Sequence, residues 1–400
     1  MLSVAEALMI VLEKTGKLPP VVSPVSVDCL GRVLAEDIRS DLDSPPFAKS
    51  LRDGYALRAT DVPAGGASLR VIGESAAGSA ASPSLKSGEA IRIFTGAVIP
   101  ANADAVVMQE DCQREGEFVR VPGNVNSGQF ILPQGAEYRA GDIVLAAGGK
   151  LGPQEFGLLA SVGCVSASLI SMPRVGIIST GNEIVEPGLR PMGSQIRNSN
   201  GPMLQAQTTR AGGQPVYFGI VGDDKSKLAK LVADSLDSTD ITLVSGGVSV
   251  GDYDHLPHLL GELGIETHFH QVWMKPGKPV LFGSRNGKLL FGLPGHPVSA
   301  FTCFELFVRP AIEKSCGENT VDLPWVMLPL DGDYSAFNER PTYLPSRLVI
   351  VDSKLAVRPN GRMNSANLNS LAGADAIMAL PVGKIQYQAG HLVPTLRLTR

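Results

Sequence analysis

Three glycine-rich turns, each placed after an apolar run, lie within residues 245–299 and limit what this chain can fold into. Glycine lets a backbone pass close to a ligand with its amides turned inward, which is how loops after strands hold anionic groups. With two lysines and several carboxylates among them, the turns predict a site for a polyanionic substrate that is handled with a metal ion. The turns are Ser-Gly-Gly-Val-Ser-Val-Gly-Asp from Ser245, Lys-Pro-Gly-Lys-Pro from Lys275 and Gly-Leu-Pro-Gly-His-Pro-Val-Ser from Gly292.

Strand and helix patterns alternate from Pro173 to about Gly317. Repeated strand, helix, strand units predict a parallel sheet wound by right-handed crossovers, with helices on both faces. Ligands of such sheets bind beyond the carboxyl ends of the strands. The polar and glycine-rich loops at 180–183, 223–224 and 245–254 each follow a predicted strand, so we expect them to meet at this edge.

The sequence patterns on either side of residues 173–317 predict β structure. Short β-like runs from Val21 to about Leu169, and again from Val326 to the C-terminus, are separated by Gly, Pro, Asn and Ser clusters. A short amphipathic helix with Ser3 as its cap precedes them. Because 400 residues exceed what one hydrophobic core usually supports, we predict a multidomain fold of the α/β plus β class.

Composition narrows the class of protein further. A formal net charge of -4 argues against a nucleic-acid partner, which normally meets a basic surface. No apolar run has the length of a transmembrane helix, and no signal peptide is recognised at the start, so we expect no membrane partner. The five cysteines are scattered without a Cys-x-x-Cys pair, which is typical of reduced thiols. We therefore expect a cytoplasmic protein.

The lysine turn is the clearest candidate for anion binding. Lys275 and Lys278 flank a Pro-Gly pair, so both ammonium groups are held near one another on a stiff loop. Two like charges held this close are tolerable when an anion lies between them. The alternative is a surface loop with two solvated lysines.

Carboxylates at the strand ends form the candidate metal site. Glu183 and Asp254 are the predicted magnesium ligands, because hard oxygen ligands suit Mg²⁺ in phosphate chemistry. Asp223 and Asp224 precede a helix, so capping of that helix is an equally open interpretation for both. The paired histidines lack partners at zinc-site spacing, and we do not predict zinc.

Two stretches of the β half are unusual. Asp53, in a turn-rich segment of charged, proline and aromatic residues, and Thr95, at the mouth of a glycine turn, could complete a site from another domain or subunit. The simpler interpretation is that Asp53-Gly54 is a common turn pair. No dinucleotide, P-loop or hydrolase-elbow motif is present, so those enzyme classes are excluded.

Taken together, these motifs closely resemble the molybdopterin molybdenumtransferase family, MoeA, whose eukaryotic relative is the gephyrin E domain. The resemblance runs in order along nearly the whole chain and is highly specific. The segments that carry it are Asp53-Gly54-Tyr55-Ala56, Thr95-Gly96-Ala97, Ser179-Thr180-Gly181-Asn182-Glu183, Ser245-Gly246-Gly247-Val248-Ser249-Val250-Gly251, Lys275-Pro276-Gly277-Lys278-Pro279 and Gly292-Leu293-Pro294-Gly295.

The resemblance implies insertion of molybdate into adenylated molybdopterin, with Mg²⁺-dependent release of AMP, in an elongated homodimer whose site gathers loops from both subunits. Transient contact with other cofactor-biosynthesis proteins is also implied. The implied domains are 1–45 with 139–172 for linkage and dimerisation, a β-rich domain at 46–138, a three-layer α/β molybdopterin-binding domain at 173–317 and a small C-terminal β-barrel at 318–400. The implied catalytic residues are Asp53, Thr95, Glu183, Asp223, Asp254, Lys275 and Lys278. The expected binding residues are Ser245, Gly246, Gly247, Ser249, Gly251, Gly292, Pro294, Gly295, Pro297 and Ser299.

The sequence departs from the family pattern at several positions. His296 stands where the family often has Asn, which replaces an amide with a group that can titrate near neutrality. Glu137 stands where an aspartate is typical, and Gln271 where a lysine is sometimes found. In the last domain the family's arginine is displaced to Arg347, and Ser365 is only a loose match to the family pattern.

Two other functions remain open at this point. Molybdopterin adenylyltransferase resembles residues 173–317, but that family tends to show Thr-Gly-Gly-Thr-Gly where this chain has Ser-Gly-Gly-Val-Ser, and it lacks the Asp-Gly-Tyr domain. A non-catalytic scaffold of the gephyrin type would bind a partner without needing the charged loops.

Overall fold

A computed structural model describes residues 1–79, 83–248, 256–318, 321, 323–361 and 364–398. The chain divides into two compact units. The main unit comprises Met1–Ala35, Gly148–Leu151 and Ser168–Arg400, and the N-terminal β unit comprises Glu36–Ala147 and Gly152–Ala167. Among the described helices, none is both long enough and apolar enough to cross a lipid bilayer.

The centre of the main unit is a six-stranded sheet. Five of its strands run in one direction, and only Leu281–Arg285 is reversed. The reversal follows from a two-residue turn, Asn286 and Gly287, whose positive φ values of 51° and 79° match the twist of an antiparallel hairpin. The predicted parallel sheet is confirmed for the other strands. The strand order is Gln214–Val221, Arg174–Thr180, Ile241–Ser245, Lys288–Leu293, Leu281–Arg285 and Glu266–His270.

Helices cover both faces of this sheet, which makes three layers. Neighbouring residues of one strand face opposite layers: Ile177 packs in one core cluster and Ile178 in the other, and both are fully buried. This near-continuous burial explains why the central strands read as apolar runs rather than as alternating patterns. The helices of the first cluster's face are Val4–Lys14, Asn200–Arg210, Pro297–Cys303 and Arg309–Ser315, the last two joined by a π-helical turn at Phe304–Val308, and those of the second are Lys225–Ser238 and Leu256–Glu262.

The predicted N-terminal helix is confirmed as Val4–Lys14. Ser3 and Glu6 form a capping box, in which each side chain accepts the other residue's backbone N–H, at 3.2 and 2.7 Å. Ala7 and Val11, one turn apart, are fully buried against the main core, because residues at this spacing share one face of a helix.

The C-terminal part of the main unit is a curled β domain whose named strands pair antiparallel. Its core contains Leu344, Val357, Met378 and Val393, which are almost completely buried. Its ten-residue strand Thr342–Val351 begins beside the lysine turn. The sheet order is Trp325–Pro329, Leu392–Arg397, Ala376–Leu380, Thr342–Val351 and Lys354–Pro359, with Tyr334–Asn338 and Gly383–Tyr387 forming a separate pair.

The N-terminal β unit is built on a second six-stranded sheet, as the short β-like runs predict. Gly54–Leu57 is a buried inner strand, and a Cβ atom at Gly54 would lie 1.9 Å from the Val107 carbonyl oxygen. Only glycine therefore fits directly after Asp53. The sheet order is Ala105–Met108, Gly54–Leu57, Glu89–Ile93, Ala67–Ser75, Phe118–Val121 and Gln113–Glu115. The unit also contains the helix Pro153–Ser161 and the short strands Ile38–Arg39, Lys49–Ser50, Ile131–Leu132 and Ile143–Leu145.

Candidate functional site

Two adjoining cavities lie where the central strands end. The glycine cavity has a volume of about 570 Å³, and the lysine cavity has a volume of about 480 Å³. The glycine cavity is lined by Ser179–Gly181, Glu183, Ile184, Ile196–Asn200, Asp223, Ser245–Val248, Pro279 and Pro294–Pro297. The lysine cavity is lined by Lys275–Pro279, Pro294, His296, Ser299, Arg340, Asn364 and Ser365.

The floor of the glycine cavity is the turn that follows the strand Ile241–Ser245. Gly246 has a φ of 96°, and a Cβ there would lie 2.7 Å from both oxygens of Thr180, so the turn can pass this strand end only as glycine. The Gly246 amide donates to the Leu293 carbonyl at 2.9 Å. This amide is therefore engaged within the fold, and a bound anion must be met by other donors of the turn.

Asn200 connects two of the glycine turns. Its Nδ2 donates to Ser245 Oγ and to the Gly295 carbonyl, both at 2.8 Å. Because a carbonyl oxygen only accepts, the contact with Gly295 also fixes which way the amide points. The first and third glycine turns are thus held together by one buried side chain at the start of the helix Asn200–Arg210.

Two carboxylates face the glycine cavity from neighbouring loops. Asp223 accepts from Asn182 Nδ2 at 2.8 Å and donates its backbone N–H to Asn182 Oδ1 at 3.1 Å, which orients it. Glu183 folds back over Gly181, where a Cβ would lie only 2.6 Å from Glu183 Oε2. Both side chains are exposed to solvent in the cavity.

Asp224 caps the helix Lys225–Ser238, a role that the sequence alone left open for both Asp223 and Asp224. Its Oδ1 accepts from the backbone of Ser226 at 3.0 Å and of Lys227 at 3.1 Å, at the start of the helix Lys225–Ser238. The Ser226 hydroxyl, followed by the backbone amide and the side chain of Lys227, lowers the pKa of Asp224 to about 2. Asp223 is therefore free of capping and faces the cavity.

The backbone of the lysine loop is fixed by the C-terminal β domain. The Lys275 N–H donates to the Pro341 carbonyl at 2.8 Å, and the Lys275 carbonyl accepts from Tyr343 N–H at 2.7 Å. Arg340, from the same segment, donates through Nη1 to the Met274 carbonyl at 3.1 Å. Both backbone polar groups of Lys275 are thus satisfied by a strand start more than sixty residues later in the chain.

The charge of the lysine cavity differs from that of its neighbour. Its described lining includes three permanent cations, Lys275, Lys278 and Arg340, all half-buried, and no carboxylate. Partial burial reduces solvent screening, so the three charges together favour an anion at this position. Arg347, the position to which the resemblance assigns the family's arginine of the last domain, donates to the Ala372 carbonyl and does not line the cavity.

Three of the described residues line both cavities: Pro279, Pro294 and His296. The prolines have fixed φ angles, which makes the partition between the cavities stiff. His296 is exposed, and its side chain makes no capping hydrogen bond to the helix that follows.

Asp53 and Thr95 pair with each other in the N-terminal β unit. Asp53 Oδ1 accepts from the Thr95 backbone N–H and hydroxyl, both at 2.7 Å. These two hydrogen bonds, the backbone one first, lower the pKa of Asp53. Asp53 therefore offers an ionised carboxylate that is held in one orientation.

Most of the predicted binding residues of the main unit line one of the two cavities. Gly292 lines neither; a Cβ at this position would meet Val248 Cγ1 at 2.7 Å, so its role is close packing. Ser299 lines the lysine cavity rather than the glycine cavity. Ser249, Gly251 and Asp254 lie outside the described residues.

Sequence reasoning missed several polar lining residues. Arg197, Asn198 and Asn200 belong to one polar run, Arg-Asn-Ser-Asn, just before a helix, and this run was the available signal. Arg340 carried no local signal, because it is brought to the lysine loop only by the pairing of distant segments.

The carboxylates of the glycine cavity suit magnesium by their chemistry. Glu183 and Asp223 offer exposed oxygen atoms, which are the ligands Mg²⁺ prefers. Within the described part of the chain, no three His, Cys, Asp or Glu side chains cluster closely enough to hold an ion on their own. Mg²⁺ commonly completes its coordination with water and substrate phosphates, so two carboxylates fit this mode of binding.

Family models cover nearly the whole chain. Residues 2–163 match the MoeA N-terminal region (domain I and II), residues 176–314 match a probable molybdopterin binding domain, and residues 328–398 match the MoeA C-terminal region (domain IV).

Individual relatives agree with these matches. A molybdopterin molybdenumtransferase of Staphylococcus aureus is 34% identical over 398 residues, covering 98% of this chain and 94% of the relative. One from a Nostoc species is 36% identical over 379 residues, covering 92% and 86%. The crystal structure of a molybdopterin biosynthesis MoeA protein of Pyrococcus horikoshii superposes with a TM-score of 0.84 at 31% identity, with both chains fully covered. With its sheet-rich N-terminal part, central α/β domain and curled C-terminal β domain, this chain belongs to the MoeA family, the molybdopterin molybdenumtransferases.

Proposed function

We propose that this protein inserts molybdate into adenylated molybdopterin, with Mg²⁺-dependent release of AMP, to give molybdenum cofactor. The observation that carries the proposal is the pair of adjoining cavities. One is cationic, and the other combines glycine turns with two carboxylates. A reaction that joins an oxyanion to a phosphate-bearing pterin needs two such sites side by side.

The lysine cavity is the proposed site of molybdate. Lys275, Lys278 and Arg340 supply three positive charges to a dianion, and the Ser299 hydroxyl supplies a hydrogen-bond donor. The backbone bonds that fix Lys275 keep its ammonium group near the cavity, so little reorganisation is needed when the anion binds.

The glycine cavity is the proposed site of the adenylated pterin. Ser245, Gly247 and Gly295 line the space for its phosphate groups, and Glu183 and Asp223 are the proposed Mg²⁺ ligands, with Asp254 predicted from sequence alone. When bound, Mg²⁺ supplies neutralisation of the charge that develops on the leaving phosphate. The proposed pterin site and the proposed molybdate site share a wall that includes Pro279 and Pro294, so the two substrates would bind next to each other.

The pair formed by Asp53 and Thr95 is the proposed contribution of the N-terminal β unit. We propose that it completes the site in a homodimer, with domains divided at 1–45 with 139–172, 46–138, 173–317 and 318–400. An oriented, ionised carboxylate at Asp53 is the group that such a composite site would use.

The direct test uses purified protein with Mg²⁺, molybdate and adenylated molybdopterin, with AMP measured by chromatography. Wild type should release AMP, and Lys278→Ala and Arg340→Ala should each slow the release at least about tenfold, because each removes one of three charges from a half-buried anion site. Lys354→Ala, at the exposed first residue of the strand Lys354–Pro359, which lines neither cavity, is the matched control. Absence of AMP release by folded wild type would overturn the proposal, and incorporation of AMP from ATP into free molybdopterin would favour adenylyl transfer.

A further inference from the structure

His270 is the last residue of the strand Glu266–His270, and its side chain reaches the first glycine turn. Its Nε2 lies 2.8 Å from the carbonyl oxygen of Val248, which lines the glycine cavity. The strand leads directly into the loop that carries Lys275. One side chain therefore connects the start of the lysine loop with the wall of the other cavity.

The direction of this hydrogen bond is fixed by its acceptor. A carbonyl oxygen accepts only, so Nε2 must carry the hydrogen. The neutral tautomer protonated at Nε2 supplies this hydrogen. Phenylalanine has a ring of similar size and no donor, whereas the amide nitrogen of glutamine can occupy about the position of Nε2.

The surroundings of Val248 explain why this donor matters. Val248 is 2% exposed and packs against Gly292. It follows Gly246 and Gly247, which have φ values of 96° and 65° and no side chains that could fix this part of the turn. A buried carbonyl without a partner is costly, so loss of the donor would favour a shifted turn that reaches water.

The residues that follow His270 in the chain also have a defined backbone conformation. Gln271 has a φ of 81°, which is uncommon for a residue with a side chain, and its amide donates to the Val280 carbonyl at 2.9 Å. The Val272 amide donates to the Lys278 carbonyl at 3.0 Å. These hydrogen bonds fix the backbone next to His270, which also fixes the position of its ring relative to the glycine turn.

We propose that His270 is a positioning residue, whose Nε2–H fixes the Val248 carbonyl and so holds the glycine turn in the conformation that binds the adenylated substrate. The inference rests on the proposed function for the identity of that ligand. Its effect is on binding of the phosphate-bearing group and not on the reacting atoms, so it predicts a change in KM with kcat nearly unchanged.

The test compares wild type with H270F, H270Q and H270N, using AMP as the probe in calorimetric titrations. H270F should weaken AMP binding roughly tenfold, the loss that follows from one unsatisfied buried carbonyl, and H270Q should restore it to within about twofold. H270N, whose amide is too short to reach Val248, should behave as H270F does and keeps the test decisive if H270F folds poorly. With adenylated molybdopterin, the same variants should raise KM and leave kcat within about twofold.

The matched control is His268, two residues earlier on the same strand. Its Nε2 lies 2.7 Å from Ser284 Oγ, within the sheet and away from both cavities. H268F should therefore bind AMP as wild type does. Equal loss in H268F and H270F, or wild-type binding by H270F, would overturn the inference.

A second readout separates this inference from the proposed function. Hydrogen–deuterium exchange of the peptide that spans the glycine turn, measured without ligand, should be faster in H270F and H270N and restored in H270Q. Unchanged exchange in H270F would overturn the positioning role, whatever the ligand. Failure of wild type to bind AMP, with the exchange pattern as expected, would instead count against the proposed function alone.

Discussion

Replacement of Gly176 by alanine tests how tightly the central sheet is packed below the site. Gly176 lies within the strand Arg174–Thr180, and a Cβ there would lie 2.1 Å from Ser235 Oγ on the covering helix Lys225–Ser238. Phe218, at 3.1 Å, closes another side of the space. Ser235 is fully buried, so the added methyl group has no free direction in which to displace it.

The expected cost follows from two effects. Overpacking of a filled core costs about 1–3 kcal/mol. Ser235 Oγ is also hydrogen-bonded to Thr242 Oγ1 at 2.9 Å, and a forced shift breaks this buried pair, which adds about 1–3 kcal/mol. Gly176→Ala should thus lower the free energy of unfolding of the main unit by about 2–6 kcal/mol, or its Tm by roughly 4–24 °C.

A double-mutant cycle identifies the cause. Ser235→Ala removes the oxygen that the new methyl group meets, so Gly176→Ala with Ser235→Ala should be more stable than the sum of the single effects predicts, by at least about 1 kcal/mol. Differential scanning calorimetry suits a chain with two units, because it resolves separate transitions. Gly188→Ala, where nothing lies within 4 Å of a Cβ, is the control and should match wild type. Additive effects to within about 0.5 kcal/mol, or a Tm of Gly176→Ala within about 2 °C of wild type, would refute the packing argument.

Three further predictions concern the site and the N-terminal β unit. Gly181→Ala should raise the Mg²⁺ concentration needed for half-maximal AMP release, because its Cβ would displace the Glu183 carboxylate; an unchanged Mg²⁺ titration would contradict the metal assignment. Thr95→Ala should raise the pKa of Asp53 part of the way to its ordinary value, because the hydrogen bond from the hydroxyl is lost while the one from the backbone N–H stays. An NMR titration of the Asp53 carboxyl group would measure this change. Because the folded pKa of Asp53 is depressed, the stability from these bonds is present above about pH 4 and is lost as pH falls through the folded value. Gly157→Ala, in the open middle of the helix Pro153–Ser161, should stabilise the N-terminal β unit by about 0.5–1 kcal/mol in calorimetry; destabilisation would show that the position is not open.

The layered centre of the fold could be predicted because its signals are local. Buried parallel strands and the helices between them differ in length and periodicity, and the strand Ile241–Ser245 is buried at every residue, as its apolar run predicts. The reversed strand Leu281–Arg285 had a local signal too, the Asn-Gly turn that follows it, but its place between two co-directed strands depends on pairing across the sheet.

Residues whose roles depend on contacts between distant segments could not be predicted in the same way. Asp223 and Asp224 have the same side chain, and only the backbone conformation decides that Asp224 caps the helix while Asp223 faces the cavity. Arg340 and Arg347 lie seven residues apart in the same β region, and strand register decides which of them reaches the lysine loop. Pattern and motif thus located the candidate site, and long-range packing determined which residues line it.

The bonds from Pro341 and Tyr343 to Lys275 have a consequence for the growing polypeptide. A ribosome makes the lysine loop first and the segment that fixes it more than sixty residues later, followed by Ser365. A nascent chain therefore holds both lysines before it has the rest of the cavity lining. The oxyanion binding proposed for this cavity would require the segment from Arg340 to Ser365 as well, so a product that stops before it would carry the lysine motif without the complete cavity.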